Sequence, residues 1–288
     1  NSAYLTAFGA DGFSLGNSVT VNKNTITYAA WNWKIGGDSG SSNTNGSINT
    51  ASTSVNSDAG ISISTYTGNA EEGATVGHGL SKVPDWIIVS NRGQNGGHTQ
   101  FHSALGATKN APLQSYEPIS TTSNIWNDTA PTATVFSLGN NGSINGNNST
   151  YVAYCFHSVD GYSKFGSYEG VGNNNGPFVH CGFRPAWIML KNTSNNTNGG
   201  EWVLLDDTRF GVGTSQKINP VLSDLKANEN GAEFDSTSYP IADLLSNGFK
   251  LRIGGANSGL ARSVNNASGN VYIFMAFAHS PVKYANAF

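Results

Sequence analysis

The sequence predicts an all-β protein built from two tandem β-sandwich repeats with Asn/Gly-rich loops, and three observations predict it. First, GLSKVPDWIIVSN at residues 79–91 recurs about a hundred residues later as GFRPAWIMLKN at residues 182–192, a spacing typical of domain-sized units. Second, the apolar runs are short and rich in β-branched and aromatic residues, as strands are. Third, clusters of Asn, Gly and Ser separate these runs, which favours hairpin turns.

The match extends in both directions from these two motifs. Upstream, TYTGN at residues 65–69 aligns with SYEGV at residues 167–171, and downstream YVAYCF at 151–156 aligns with YIFMAF at 272–277. An uninterrupted apolar strand is typical of burial on both faces. We therefore expect these closing strands to be buried on both faces, as in the middle of a sandwich. The two β-sandwich repeats are predicted at residues 61–160 and residues 161–288.

The N-terminal part of the chain resembles only half of a repeat. Residues 11–34, DGFSLGNSVTVNKNTITYAAWNWK, match the closing half without an opening half before it. Residues 1–35 are therefore predicted as the closing strands of a partial preceding repeat, and Asn1 is not expected to be the natural start. Residues 36–60 lack apolar periodicity and are interpreted as a polar arm or linker, which could lie along a neighbouring subunit.

Short helical decorations are also expected. NPVLSDLKANE at residues 219–229 and YPIADLLSN at residues 239–247 place their apolar residues at helical spacing. Both segments are short, so they are predicted as additions to the β-structure and not as a helical domain.

Composition excludes several classes of protein. Charged residues make up 11% of the chain, against about 25% in an average soluble domain, and the net charge is −3 without a Lys/Arg cluster. Nucleic-acid binding, which relies on a basic surface, is therefore not expected. No apolar run approaches the ~20 residues of a membrane-spanning helix, so membrane insertion is not expected. No cofactor is implied.

The two cysteines, Cys155 and Cys181, are too few for a disulfide framework and lack a metal-binding spacing. In the repeat alignment their counterparts are Ala276 and His78, so no bridge within one repeat is implied. We expect two free thiols.

Catalytic and metal-binding motifs are not found. The sequence contains no GxSxG, P-loop or HExxH motif. Asp206 and Asp207 are adjacent, so on a strand they point to opposite faces and cannot share a proton. His102 takes the place of Asp206 in the first copy, which is interpreted as divergence after duplication. No catalytic or metal-ligating residue is predicted, and the protein is expected not to be an enzyme.

Aromatic residues offer another kind of site, because flat rings stack on sugar faces. Trp86 and Trp187 are equivalent in the two copies and are interpreted as packing residues. Trp126 is not duplicated and lies in the polar stretch SNIWNDTAP, so it is either a stacking residue for glycan or a plug for the end of its own sandwich. An exposed rim is expected at residues 123–129, 140–149 and 192–200. The candidate glycan-binding residues are Trp126, Asn124, Asn127, Asp128, Asn141 and Asn145.

Several long motifs resemble a known family. They include GATVGHGL, PTATVFSLG, YVAYCFHSVDGYSKFGSYEG and GFRPAWIMLK. From about Gly12 to Ala287 the chain is similar to a tandem domain at the C-terminal end of large proteins of marine tailed phages, labelled tail-fibre or structural proteins. HTQFH at residues 98–102 departs from the Trp-started strand of that pattern, so a looser or wetter contact is expected there. The resemblance assigns no functional residues.

Three functions are compatible with these observations. The resemblance favours a non-enzymatic phage virion fibre or receptor-binding module that attaches to a host surface glycan. The alternative is a purely structural virion or filament subunit, such as a capsid decoration, cement or fibre shaft. A glycan-degrading tailspike would need a pair of acidic groups, and no such pair is found. The resemblance implies a virion location, extracellular when functioning, with virion proteins and further copies of this chain as partners in a homo-oligomer, as in trimeric fibres.

Overall fold

A computed structural model describes residues 4–36, 40–93, 97–194, 200–209, 219–235, 240–252 and 266–280. The chain divides into two compact units, Asn1–Trp33 and Lys34–Phe288. The all-β prediction is confirmed, since 41% of the chain is strand and 2% is helical. In the described part of the chain, no helix is long and apolar enough to cross a membrane.

In the N-terminal unit the residues that the structure describes form one antiparallel hairpin, β1 (Leu5–Phe8) and β2 (Phe13–Leu15). Every residue of both strands is exposed. The closing strand predicted at TITYAAW does not form, since residues 25–31 include no strand or bridge residue.

The described part of the first repeat contains three antiparallel sheets, one of which is the short pair of β8 and β9. The other two form its core. One has the strand order β3-β4-β11-β6-β7 and the other pairs β10 with β5. Buried residues of both sheets, among them Val89, Tyr151 and Phe136, belong to one core. The element bounds are β3 Ser52–Asn56, β4 Ile61–Thr67, β5 Ala74–Gly77, β6 Trp86–Asn91, β7 His98–His102, β8 Lys109–Asn110, β9 Ser120–Thr121, β10 Val135–Leu138, α1 Gly142–Asn145 and β11 Thr150–Phe156.

The second repeat also has a larger and a smaller antiparallel sheet. Their strand orders are β12-β20-β14-β15-β16-β17 and β13-β19-β18. Ile188, Phe274 and Phe249 show that both sheets contribute to its core. The bounds are β12 Ser163–Glu169, β13 Phe178–His180, β14 Pro185–Asn192, β15 Trp202–Asp206, β16 Ser223–Lys226, β17 Phe234–Asp235, β18 Ala242–Leu245, β19 Gly248–Leu251 and β20 Val271–Ala278.

The two repeats share a strand order. The run β4-β11-β6-β7 of the first corresponds to β12-β20-β14-β15 of the second, and each closing strand lies between two other strands. Gly79 and Gly182, which precede the Trp-started strands, have φ angles of +76° and +83°. Only glycine adopts this region without strain. The superposition of the two halves as sandwiches stays a prediction.

The larger sheets of the two repeats pack against each other through aromatic side chains. The rings of Trp86 and Trp202 are 5.8 Å apart, and those of Phe156 and Phe165 are also 5.8 Å apart. Each residue of the closing strand from Tyr272 to Phe277 is buried, because one face lies in the core and the other in this interface. Burial of both faces, predicted from the apolar run, is confirmed for β20.

A buried lysine ties a loop of the first repeat to the second. The Lys191 ammonium donates to the carbonyls of Ser115 at 3.3 Å and Glu117 at 3.0 Å, and also to the carbonyl of Gly200. Burial lowers the pKa of Lys191 to about 8, although the carboxylates of Glu201 and Glu117 act in the opposite direction. These contacts hold the two repeats together as one compact unit.

The two helical decorations predicted from apolar spacing are wrong. Within residues 219–229 the chain forms β16, which pairs with β15, and within residues 239–247 it forms β18, which pairs with β19. Short segments have weak intrinsic preference, so an available sheet edge decides their conformation. The one helix of the described residues is α1, a single turn at Gly142–Asn145.

The prediction of an arm or linker at residues 36–60 needs a correction. Residues 40–60 are packed onto the first repeat: β3 pairs with β4, and Ile48 is 7% exposed. A Ser/Thr-rich strand suits this position because its side chains bond to each other across the sheet, as the hydroxyls of Thr53 and Ser64 do at 3.0 Å. The segment packs on its own repeat. The sequence did not indicate this packing, because the segment lacks apolar periodicity.

Candidate functional site

Trp126, the predicted stacking residue, is not on the surface. It is 1% exposed, and its ring lies 5.9 Å from that of Phe101 and 6.4 Å from that of Phe136. Ile125 and Trp126 are the apolar residues of an otherwise polar turn, so folding drives them into the open end of the core. The stacking role is wrong, and the alternative of a plug is what the structure has.

Asn145 and Asn141 serve the backbone. Asn145 is fully buried, and its side-chain amide donates to the carbonyls of Glu71 and Gly139 at 2.9 Å each while its oxygen accepts from the Asn69 N–H at 3.0 Å. The Asn141 oxygen accepts from the Ser143 N–H at 2.9 Å and caps α1. Asn145 is therefore not available to a ligand, which corrects its assignment as a candidate.

The remaining candidates stay at the surface. Asn124 and Asp128 are exposed and Asn127 is half-buried. Asn127 and Asp128 have φ angles of +53° and +47°, a region that Asn and Asp tolerate better than other residues. The Asn141 N–H donates to the Asn124 carbonyl at 3.1 Å. The structure thus brings residues 123–129 and 140–149 together at one end of the first repeat.

The third segment of the predicted rim is residues 192–200. Asn192 is buried and donates to the Tyr272 hydroxyl at 3.3 Å. Residues 195–199 lie outside the described residues.

A polar cleft lies where the first repeat joins the second. It has a volume of about 870 Å³ and is formed by the β3–β4 turn, the connection between the repeats and two lysines. Lining side chains include Lys34, Asn56, Asp58, Lys82, Asp160 and Tyr162. The volume falls within the ~300–1,000 Å³ range of small-ligand sites. The residues come from distant parts of the sequence, and no motif links them, so sequence reasoning missed this cleft.

The floor of the cleft is held rigidly. The Asp85 carboxylate accepts from the N–H of Ser158 at 2.7 Å and from its hydroxyl at 2.8 Å. The His157 N–H donates to the Gly60 carbonyl at 2.9 Å, and Gly60 has a φ of +66° with the His157 carbonyl 2.7 Å from where a Cβ would lie. These bonds fix the inter-repeat connection against the β3–β4 turn.

The cleft suits an uncharged polar ligand. Its two ammonium groups, Lys34 and Lys82, are matched by two carboxylates, Asp58 and Asp160, so the lining offers donors and acceptors with little net charge. Tyr162 provides an aromatic wall, its ring packed 5.7 Å from that of Phe277. Burial raises the pKa of Tyr162, so its hydroxyl stays protonated at neutral pH.

The side chains of Asp206 and Asp207 have different partners, as expected for adjacent residues that do not share a proton. Asp206 binds Arg209, with 2.5 Å between Oδ2 and Nε, and Asp207 pairs with His279. Burial alone acts to raise the pKa of Asp206, but hydrogen bonds and charge from Arg209 hold it below its usual range. Both carboxylates are engaged in separate pairs. Across the described ranges, no three His, Cys, Asp or Glu side chains are grouped as metal ligands.

The expectation of two free thiols is confirmed for this structure, where Cys155 and Cys181 are both free and buried. Burial raises the pKa of the Cys155 thiol far above its usual range and that of Cys181 to about 12. We predict that neither thiol reacts with iodoacetamide in the native protein at pH 8, because the thiolate is the reactive form. Mass spectrometry should show two labels after unfolding in urea. Labelling of the native chain would contradict this burial.

Comparison with known families identifies one match. The model of a family described as a domain of unknown function (DUF7483) matches residues 1–281. Comparisons with curated proteins and with solved structures find no match.

Proposed function

The chain belongs to the DUF7483 family, and we propose that it is a non-catalytic attachment module of a phage virion fibre that binds a host surface glycan. It acts on the virion, outside the cell, as a homo-oligomer such as a trimer. The phage setting rests on the motif resemblance described above. The glycan ligand rests on the geometry of the cleft between the repeats.

The observation that carries the proposal is the composition of this cleft. A glycan presents many hydroxyl groups, each of which donates and accepts hydrogen bonds, and the cleft offers both kinds of partner around Tyr162. Its connection is fixed by the Asp85–Ser158 bonds. A preformed site loses less free energy on ordering when a ligand binds. Tyr162 takes the stacking role that Trp126 cannot fill.

A direct test is binding to immobilised bacterial lipopolysaccharides and capsular polysaccharides. We predict that Tyr162→Ala weakens the apparent affinity at least about tenfold, equivalent to ~1.4 kcal/mol. The matched control is Tyr116→Ala, since Tyr116 is 53% exposed and does not line the cleft. This control should bind as the wild type does.

The salt dependence of the affinity distinguishes binding through uncharged polar contacts from binding through net charge. Because the cleft charges balance, affinity should change less than about threefold between roughly 50 and 500 mM NaCl. Several linked copies can raise the apparent affinity by ~10²–10⁴, so monovalent binding should be weak. Binding that is lost in salt and unaffected by Tyr162→Ala would contradict the proposal.

A second candidate function, a structural virion or filament subunit without a ligand, is favoured by the N-terminal unit. Its large apolar side chains are exposed, with Phe8 at 79% and Ile26 at 51%. Such exposure is typical of surfaces that become buried on assembly. Assembly without binding to any of the polysaccharides would favour this second function.

A further inference from the structure

The side of the first repeat next to β4 and β5 is closed by its own chain. Strand β3 pairs with β4, from Ser52 opposite Thr65 to Asn56 opposite Ile61. On the other sheet, the Ile48 N–H donates to the Thr75 carbonyl at 2.9 Å. Ser47 and Thr75 exchange two further hydrogen bonds of 2.9 Å. One extended segment therefore covers the edges of both sheets.

The equivalent side of the second repeat lacks such a cover among the described residues. Strand β12 corresponds to β4 and pairs only with β20, and β13 corresponds to β5 and pairs only with β19. Phe178 occupies the place of Thr75 and is 43% exposed.

Only part of the outer edge of β12 is open to another strand, because its first residues bond to the connection between the repeats. The N–H groups of Ser163 and Phe165 point away from β20, to the Val159 carbonyl and the Ser158 hydroxyl. Backbone groups alternate in direction along an antiparallel strand, so Ser167 also directs its N–H and C=O outward. Val159 forms an antiparallel bridge with Ser163, so the open part of the edge is the C-terminal half of β12, at Ser167. An open edge is a template for strand addition.

The same chain carries a two-stranded ribbon, β1 and β2, that pairs with no other described strand. Strands β1 and β2 bury no residue, and two-stranded hairpins are at best marginally stable in water. The ribbon exposes Leu5 at 44%, Phe8 at 79% and Phe13 at 36%. Its strands are uncharged, so they can be covered without desolvating a charge.

We propose that β1 of one copy adds to the open edge of β12 in a second copy, covering Phe178 with the apolar residues of the ribbon. Charge selects the orientation. In an antiparallel pairing the turn after β1, with Asp11, lies beside the start of β12, with Lys164; both residues are exposed. The opposite charges then meet, whereas the parallel orientation brings Asp11 to Glu169.

This contact is heterologous, because each copy offers one ribbon and one edge. Repetition gives a closed ring if the rotation closes, or a filament if it does not. The inference does not depend on a glycan ligand, and it accounts for the apolar surface that a monomer would leave in water.

The test measures the mass of the full chain by light scattering over a concentration series. The wild type should form assemblies larger than a dimer by about 100 μM. Phe8→Asp removes the ribbon and Phe178→Asp removes the edge, so each variant alone should be monomeric. Mixed in equal amounts, the two variants should form only a one-to-one dimer, since one intact contact remains between them.

The matched control is Val83→Asp, because Val83 is 53% exposed and lies on neither surface; this variant should assemble like the wild type. Circular dichroism melts confirm that each variant folds. A monomeric wild type at about 100 μM, or assembly that survives both substitutions, would overturn the inference. So would a mixture of the two variants that stays monomeric.

Discussion

Replacement of Trp126 by alanine is expected to lower the free energy of unfolding by about 3–5 kcal/mol. The side chain is 1% exposed and packs against Phe101 and Phe136, so truncation leaves a cavity that rigid neighbouring rings cannot fill. Urea denaturation followed by circular dichroism measures the change. The affinity of the folded variant for polysaccharide should equal that of the wild type, because Trp126 does not line the cleft.

Trp126→Phe is the matched control for this experiment. It keeps an aromatic ring in the core and removes an indole N–H that has no hydrogen-bond partner among the described residues. The phenylalanine variant should therefore lose much less stability than the alanine variant. A stable alanine variant with weakened glycan binding would show instead that Trp126 is a surface residue.

Acidification is expected to destabilise the protein through His102, which lies between the two repeats. This side chain is fully buried, and its Nδ1 accepts from the Ala104 N–H at 3.0 Å. Burial lowers the pKa of His102 from 6.5 to about 4, outweighing the Asp85 carboxylate and the Phe274 carbonyl, which raise it. The strand predicted to pack loosely is instead closed, with His102 against the Trp86 ring at 4.7 Å.

The direction of this pH dependence follows from the protons bound by His102 in the folded and unfolded chains. Between pH 6.5 and about 4 the unfolded chain binds a proton that the folded chain excludes, so stability falls as pH falls. Each pH unit in that window costs about 1.4 kcal/mol, and the full loss is about 3 kcal/mol. Above pH 6.5 both states are neutral at this site, and His102 adds no pH dependence.

Urea midpoints measured from pH 7 to 4 should fall steeply for the wild type and less steeply for His102→Leu. Some slope should remain, because burial also lowers the pKa of His78. His98→Gln, a change at an exposed histidine of the same strand, is the matched control and should follow the wild type. Equal slopes for the wild type and His102→Leu would show that protonation of His102 is not the cause.

The two proposals place binding and assembly on different surfaces. The glycan cleft lies beside the connection between the repeats, and β12, whose C-terminal half carries the open edge, begins where that connection ends. Assembly along β12 would therefore set the spacing of neighbouring clefts. Such spacing decides whether linked sites can engage one long polysaccharide together.

Much of the fold was predictable from the sequence, because the main strand patterns occur in both repeats and can be compared. The runs WIIVSN and WIMLKN form β6 and β14, and YVAYCF and YIFMAF lie within the central strands β11 and β20. Apolar content, β-branching and Asn/Gly turns are local properties, so they determine where strands begin and end. Residue spacing also predicted that Asp206 and Asp207 do not share a proton and that the two thiols are free.

Only the tertiary structure decided which polar segments pack and which apolar ones do not. Residues 52–56 became a strand because the edge of β4 was open, and residues 223–226 became a strand because β15 was adjacent. Trp126 is buried in the core of the first repeat although its neighbours in sequence are polar, whereas the apolar segment TITYAAW forms no strand. A sequence sets local preferences of a few tenths of a kcal/mol per residue, but burial and edge pairing depend on partners distant in the chain, and their larger free energies determine the outcome.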